Sequence, residues 1–136
     1  MSSQQSSKPT SNTEPKSLPS GMALEGTQVV DISNFLAAPM CSMFLADFGA
    51  NVIKVERPVV GDEIRRWGET KNGVGLYYKA VNRGKKSITA DLRTPLGVEI
   101  VKKLIANADI LVENYRPGTI EKWGLGPDVL MAITPG

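Results

Sequence analysis

The stretch that decides the fold is Ala50-Asn51-Val52-Ile53-Lys54-Val55-Glu56-Arg57-Pro58. Val52, Ile53 and Val55 make a short β-branched run of the kind found in strands covered on both faces. Pro58 has no N–H to give to a ladder and so ends the strand, leaving Arg57 at its carboxyl end. Upstream, Gln28-Val29-Val30-Asp31-Ile32-Ser33 reads as a first strand. Between the two, Pro39 suits an early helical position, Met40, Met43, Phe44 and Phe48 recur at helical spacing, and Gly49 supplies a C-terminal stop. Strand, helix and strand in that order make a β-α-β unit and hence a parallel pair.

Downstream the alternation continues. Val59 to Tyr78 is a long polar connection containing Gly61-Asp62-Glu63-Ile64-Arg65-Arg66-Trp67-Gly68. Connections of that length are usually functional or unordered, and a functional role is the expectation. Ser87 to Leu92 is a third strand. Thr94 then caps a helix that has Pro95 at its first position and an apolar face of Val98, Ile100, Val101, Leu104 and Ile105. Asp109 to Glu113 is a fourth strand, followed by short helices around Thr119 to Trp123 and Asp128 to Ile133. The expected class is α/β, the N-terminal part of a Rossmann-like doubly wound sheet. It is expected to be incomplete at Gly136, where a further strand is the natural continuation. Residues 1–23, rich in Ser, Gln, Thr, Pro and Lys, read as a disordered leader, and 24–136 as the ordered part.

Composition narrows the function. Sixteen basic against fourteen acidic residues, interspersed, give +2, which lacks the basic face a nucleic-acid partner requires. With one cysteine and no histidine, the chain can build neither a disulfide framework nor a Cys/His zinc site, and histidine acid-base chemistry is excluded. Cys41 falls in an apolar helical run and reads as a small core residue. Asp62, Glu63 and Asp91 stand beside basic residues and read as solvated partners rather than a magnesium site; no metal is expected. No apolar run reaches the length of a membrane span, so no membrane partner is expected. The leader has no arginine and carries Glu14, unlike a mitochondrial presequence; a cytoplasmic location is expected, with a mitochondrial one left open.

The candidate site follows from topology. In open α/β sheets ligands lie outside the carboxyl ends of the strands, where Arg57, Arg93 and Arg116 fall. Three arginines there suit an anion. The plain alternative is that they pair with Glu56, Asp91 and Glu113. The glycines form neither G-x-G-x-x-G nor a Walker loop, so nicotinamide and nucleoside triphosphate lose their usual support.

Five segments appear in order: Val29-Val30-Asp31-Ile32-Ser33 with Ala37-Ala38-Pro39; Phe48-Gly49-Ala50-Asn51-Val52-Ile53-Lys54-Val55-Glu56-Arg57-Pro58; Gly61 to Gly68; Asn82-Arg83-Gly84-Lys85-Lys86 through Thr94-Pro95-Leu96-Gly97; and Glu113-Asn114-Tyr115-Arg116-Pro117-Gly118. In that order and spacing they resemble the N-terminal part of the family III CoA-transferases of the CaiB/BaiF type. The resemblance runs from Gly26 to Pro135. It implies a CoA-transferase with acyl-CoA and a small carboxylic acid as partners, and an interlocked homodimer for the complete protein. The CoA contacts it implies are Leu36, Ala37, Arg57, Ala90, Asp91, Leu92, Arg93, Asn114, Tyr115, Arg116 and Lys122. It implies a nucleophilic aspartate beyond Gly136 that forms a mixed anhydride and then an enzyme-CoA thioester. None of Asp31, Asp47, Asp62, Asp91, Asp109 or Asp128 matches its position, so no catalytic residue is assigned. Leu36 stands where formyl- and oxalyl-CoA transferases carry glutamine, and Ala38 replaces a glycine common in the motif. Both differences argue against an oxalate-type substrate and leave dicarboxyl-CoA donors open. The alternatives are an acyl-CoA racemase of the same fold and a shortened, non-catalytic CoA-binding segment.

Overall fold

The computed structural model describes residues 21–134; most of the expected leader lies outside them. Four strands, β1 (Gln28–Asp31), β2 (Asn51–Glu56), β5 (Lys86–Thr89) and β6 (Ile110–Val112), form one parallel sheet in the order β5-β2-β1-β6. A separate two-stranded hairpin joins β3 (Thr70–Lys71) to β4 (Val74–Gly75). Helix α1 (Ala37–Asp47) crosses from β1 to β2, and α3 (Pro95–Ile105) crosses from β5 to β6.

The two crossovers cover opposite faces of the sheet. Val29, Val52 and Val112, with Ala50, pack beneath Ala38, Leu45 and Ala46 of α1. Val30, Ile32 and Val55 face the other way, onto Val101 and Ile105 of α3 and onto Ile120, Leu125 and Leu130. The last three come from the segment holding α4 (Thr119–Lys122) and α5 (Pro127–Met131). This two-sided cover is what the continuous β-branched runs require. Thr94 caps α3 by accepting from the Gly97 N–H at 3.1 Å, as its sequence position predicts. Gly97 has a further role. A Cβ there would stand 2.0 Å from the Asp91 carbonyl oxygen, so only glycine lets the first turn of α3 close on the loop after β5.

Three expectations need correction. The Val59–Tyr78 connection is structured. It contains a 3-10 turn at Glu63–Arg66, the hairpin, and the start of α2 (Leu76–Val81). The missed signal was Asn72-Gly73, both at positive φ, a pair that suits a two-residue hairpin turn. Cys41 is exposed rather than buried. The inward face of α1 is set by Pro39, Ser42 and Met43, which turns Cys41 outward together with Met40, Phe44 and Phe48. Ile100 likewise lies on the outer side of α3.

Candidate active site at the carboxyl edge of the sheet

In this strand order the chain leaves β1 toward β2 by one helix and returns to the other side of β1 by another. The loops after β1 and β6 therefore diverge and leave a crevice between them. A cavity of about 310 Å³ lies there. Asn34 and Phe35 reach it from the end of β1, Arg57, Gly61 and Glu63 from the end of β2, and Asn114, Tyr115 and Arg116 from the end of β6.

Its walls are tied together by side chains. The Asn34 N–H donates to Asn114 Oδ1 at 2.9 Å and Asn114 Nδ2 donates to the Asn34 carbonyl at 2.8 Å. Asn34 Nδ2 donates to the Tyr115 hydroxyl at 2.7 Å. The Tyr115 ring meets Trp123 edge-on at 5.0 Å, and burial pushes its phenol up. On the other wall the Phe35 ring lies 5.4 Å from Trp67.

The charges divide sharply. Glu56, at the end of β2, accepts from Arg65 Nε at 2.7 Å, Arg65 Nη2 at 2.8 Å, the Tyr78 hydroxyl at 2.7 Å, the Asp62 N–H at 2.9 Å and Ser87 Oγ at 3.1 Å. Burial raises its carboxyl pKa, but these donors and the Arg65 charge outweigh that and hold it at about 2. Burial and the same bond to Glu56 push Tyr78 up to about 12. Arg65 also lies over the Tyr78 ring, its Cζ 3.6 Å from the centroid. By contrast the Arg57 side chain is 43% exposed, and its one ion pair among the described residues is with Glu63, at 3.8 Å. Arg116 is exposed and makes no ion pair among the described residues.

Beneath the cavity lies a second polar layer, on the α1 face of the sheet. Asp31 accepts from Lys85 Nζ at 3.0 Å and Ser42 Oγ at 2.6 Å, and from Ser33. Its burial opposes the charged form, but Lys54, Lys85 and the two hydroxyls outweigh that and keep it lowered. Lys54 Nζ donates to the Ser33 carbonyl at 2.9 Å. It also lies 2.9 Å from Asp62 Oδ2 but off the hydrogen-bonding angle, so this contact is ionic rather than an aligned hydrogen bond. Sequence reasoning missed this layer, reading Asp62 as solvated where it is 1% exposed, and it missed Asn34 and Phe35 as cavity residues.

The expected contact residues separate into groups. Arg57, Asn114, Tyr115 and Arg116 share the cavity between the β1 and β6 loops. Ala90, Asp91, Leu92 and Arg93 line a neighbouring hollow of about 100 Å³ with Arg57 and Trp123, so Arg57 joins the two. Leu36 and Ala37 begin α1 just after Phe35, and no side chain caps that helix. Lys122 is exposed on α4 and lines neither hollow. Of the three pairings in the plain alternative, only one forms. Arg93 binds Asp91 through Nε at 2.8 Å and Nη2 at 2.7 Å, and these bonds with that of the Arg93 N–H hold Asp91 at about 2. Glu56 is taken by Arg65, and Glu113 accepts the Tyr115 N–H instead. Among the described residues no cluster of His, Cys, Asp or Glu is placed to hold a metal, and no helix is long and apolar enough to cross a membrane.

The chain is 50% identical over 114 residues to the succinyl-CoA–D-citramalate CoA-transferase of Chloroflexus aurantiacus, covering 83% of the chain and 28% of that protein. It is 47% identical over 113 residues to the human succinyl-CoA:glutarate CoA-transferase, covering 82% and 26%. A CaiB/BaiF family protein of Brucella suis superposes with a TM-score of 0.79 at 44% identity, covering 85% of the chain and 32% of that structure. The chain thus spans about a quarter of the length of the curated relatives it matches. The profile of CoA-transferase family III matches residues 24–136, and the chain belongs to that family.

Proposed function

We propose that the complete protein is a CoA-transferase that moves CoA from an acyl-CoA donor to a small carboxylic acid, and that this chain supplies the surface that takes the CoA phosphates. The observation that carries the reading is Arg57 and Arg116 standing exposed at the switch-point cavity while neighbouring charges are neutralised inside the protein. A diphosphate and a 3′-phosphate need such uncommitted cations. Arg93, Asn114 and Tyr115 extend the surface, as do the Ala90–Leu92 backbone and Lys122. The uncapped start of α1 at Leu36 and Ala37 offers N–H groups to an acceptor.

The donor is succinyl-CoA or another dicarboxyl-CoA, a reading supported by the named activities of the relatives. Transfer runs through an aspartate outside the six seen here. It attacks the thioester carbon and releases the CoA thiolate, giving a mixed anhydride. The thiolate then attacks the aspartyl carbonyl and releases the donor acid, leaving an enzyme-CoA thioester that the acceptor carboxylate resolves to its own acyl-CoA with the aspartate restored. Four of the six are in ion pairs: Asp31 and Asp62 are buried in them, and Asp47 and Asp91 bind arginines. The interlocked homodimer remains part of the proposal, supported by the exposed apolar side of α1 at Met40, Phe44 and Phe48. Calorimetry with CoA, followed by chromatography of succinyl-CoA incubated with a panel of carboxylates, tests the reading. CoA binding and a new acyl-CoA are expected. Neither binding nor transfer by the full-length protein removes the proposal.

A further inference from the structure

We infer that Asp62 is a positioning residue for the CoA cavity, acting through Phe35, with Lys54 as its buried counter-ion; the inference rests on the CoA-binding reading above. Phe35 has φ 65, a left-handed backbone that a bulky side chain adopts only when its surroundings hold it there. What holds it is Asp62 Oδ1, which accepts the Phe35 N–H at 3.0 Å. The same oxygen accepts the Ile64 N–H at 3.0 Å and so opens the Glu63–Arg66 turn. One carboxylate oxygen therefore ties the loop after β1 to the loop after β2. Those two loops carry Phe35 on one side and Gly61 and Glu63 on the other, all of them in the cavity wall. Asp62 itself is 1% exposed and lies beneath that wall. Its other oxygen faces Lys54 Nζ at 2.9 Å, and Lys54, also 1% exposed, donates to the Ser33 carbonyl in the same loop.

The geometry separates two roles in one side chain. Oδ1 shapes the wall by accepting N–H groups, while the charge is needed only because Lys54 is buried opposite it. An amide in place of the carboxylate, with Lys54 made apolar, keeps the first and removes the need for the second. The variants to compare in the full-length protein are Lys54→Met with Asp62→Asn, and Lys54→Met with Asp62→Ala. Amide exchange at Phe35 and CoA affinity by calorimetry are the two readouts. In the Asn pair the Phe35 amide stays protected and CoA affinity stays within about threefold of the parent; in the Ala pair protection is lost and affinity falls about tenfold. In the proposed reaction the Ala pair raises KM for the acyl-CoA and leaves kcat and the KM for the acceptor acid unchanged, which general destabilisation does not do. Equal Phe35 protection in the two pairs overturns the inference whether or not CoA binds. Protection lost without a change in CoA affinity overturns the link to the cavity. A parent protein that binds no CoA instead overturns the functional reading, while the exchange result still decides the role of Asp62 Oδ1.

Discussion

Glu56 and Arg57 are consecutive, yet Glu56 is 4% exposed and saturated with donors, whereas Arg57 is 43% exposed with one loose contact. The same division separates the two regions around the crevice. Below it, Asp31, Lys54, Asp62 and Lys85 are buried against one another and against hydroxyls and carbonyls. Around its rim, Arg57 and Arg116 are open to solvent. Buried charges with several partners fix loop positions, and a rim charge without a strong partner is available to a ligand. The difference predicts opposite phenotypes, stability for the lower layer and affinity for the rim.

The largest effect is expected from Lys54→Met alone. It leaves Asp62 buried without its counter-ion, and breaking a buried pair from one side costs about 3–5 kcal/mol. Urea unfolding of the full-length protein should show that loss, with most of it recovered when Asp62→Asn is added. A single Lys54→Met variant as stable as the parent would break the comparison, because the lower layer would then be no more structural than the rim.

Glu56→Gln should cost less, about 1.5–3 kcal/mol, since the amide keeps one acceptor oxygen while losing the charge-assisted fork to Arg65. Its pH dependence has a defined sign. The Glu56 carboxyl is depressed from 4.5 in the unfolded chain to about 2 in the folded one. Its contribution is therefore fully present above pH 4.5 and is lost as pH falls toward 2. Stability measured across that window should fall less steeply in the variant than in the parent. Equal slopes would show that Glu56 is not held down by its neighbours.

How much of this was legible follows from the range of the signals involved. The strand runs, the Thr94-Pro95 helix start and the Pro58 stop are written in neighbouring residues, and all three are seen. The carboxyl-end positions of Arg57, Arg93 and Arg116 were legible because strand direction fixes where they emerge, although Arg93 pairs with Asp91, as the plain alternative had it. The lower layer was not. Asp62 reads as a solvated charge in sequence, nothing local marks Lys54 or Asp31 as buried, and partners arrive from up to 54 positions away, as Lys85 does for Asp31. Phe35 was hidden for a different reason. Nothing in its identity announces a left-handed backbone, which is imposed by Asp62 across 27 positions. Cys41 was misread as core because the run around it is apolar, while Ser42, polar and central, is the residue that Asp31 draws inward.

Arg57→Ala and Arg116→Ala test the rim. Each should weaken CoA binding by about ten- to a hundredfold, the equivalent of one charge-assisted contact to phosphate. Unfolding free energy should stay within about 0.5 kcal/mol of the parent, as for other surface substitutions. A variant that loses stability but keeps affinity would place that arginine with Glu56 in the structural class.

The smallest expected effect sharpens the comparison most, because it concerns an acidic residue in the cavity wall. Glu63 lies 3.8 Å from Arg57 and 3.0 Å from Arg66, and its side chain is 42% exposed. It therefore partly neutralises Arg57, with an exposed pair's strength of about 0.2–1 kcal/mol. Glu63→Gln removes that competition and a negative charge that repels phosphate. CoA affinity should rise about 1.5- to 5-fold, and the gain should shrink as salt screens both terms. Inorganic diphosphate should show the same direction, since the argument concerns phosphate charge and not the rest of CoA. A fall in CoA affinity with no fall for diphosphate would mean that Glu63 instead accepts a hydrogen bond from the nucleoside part of the ligand. In that case the division into buried structural acids and exposed binding bases fails at this residue, and Glu63 joins the contact surface.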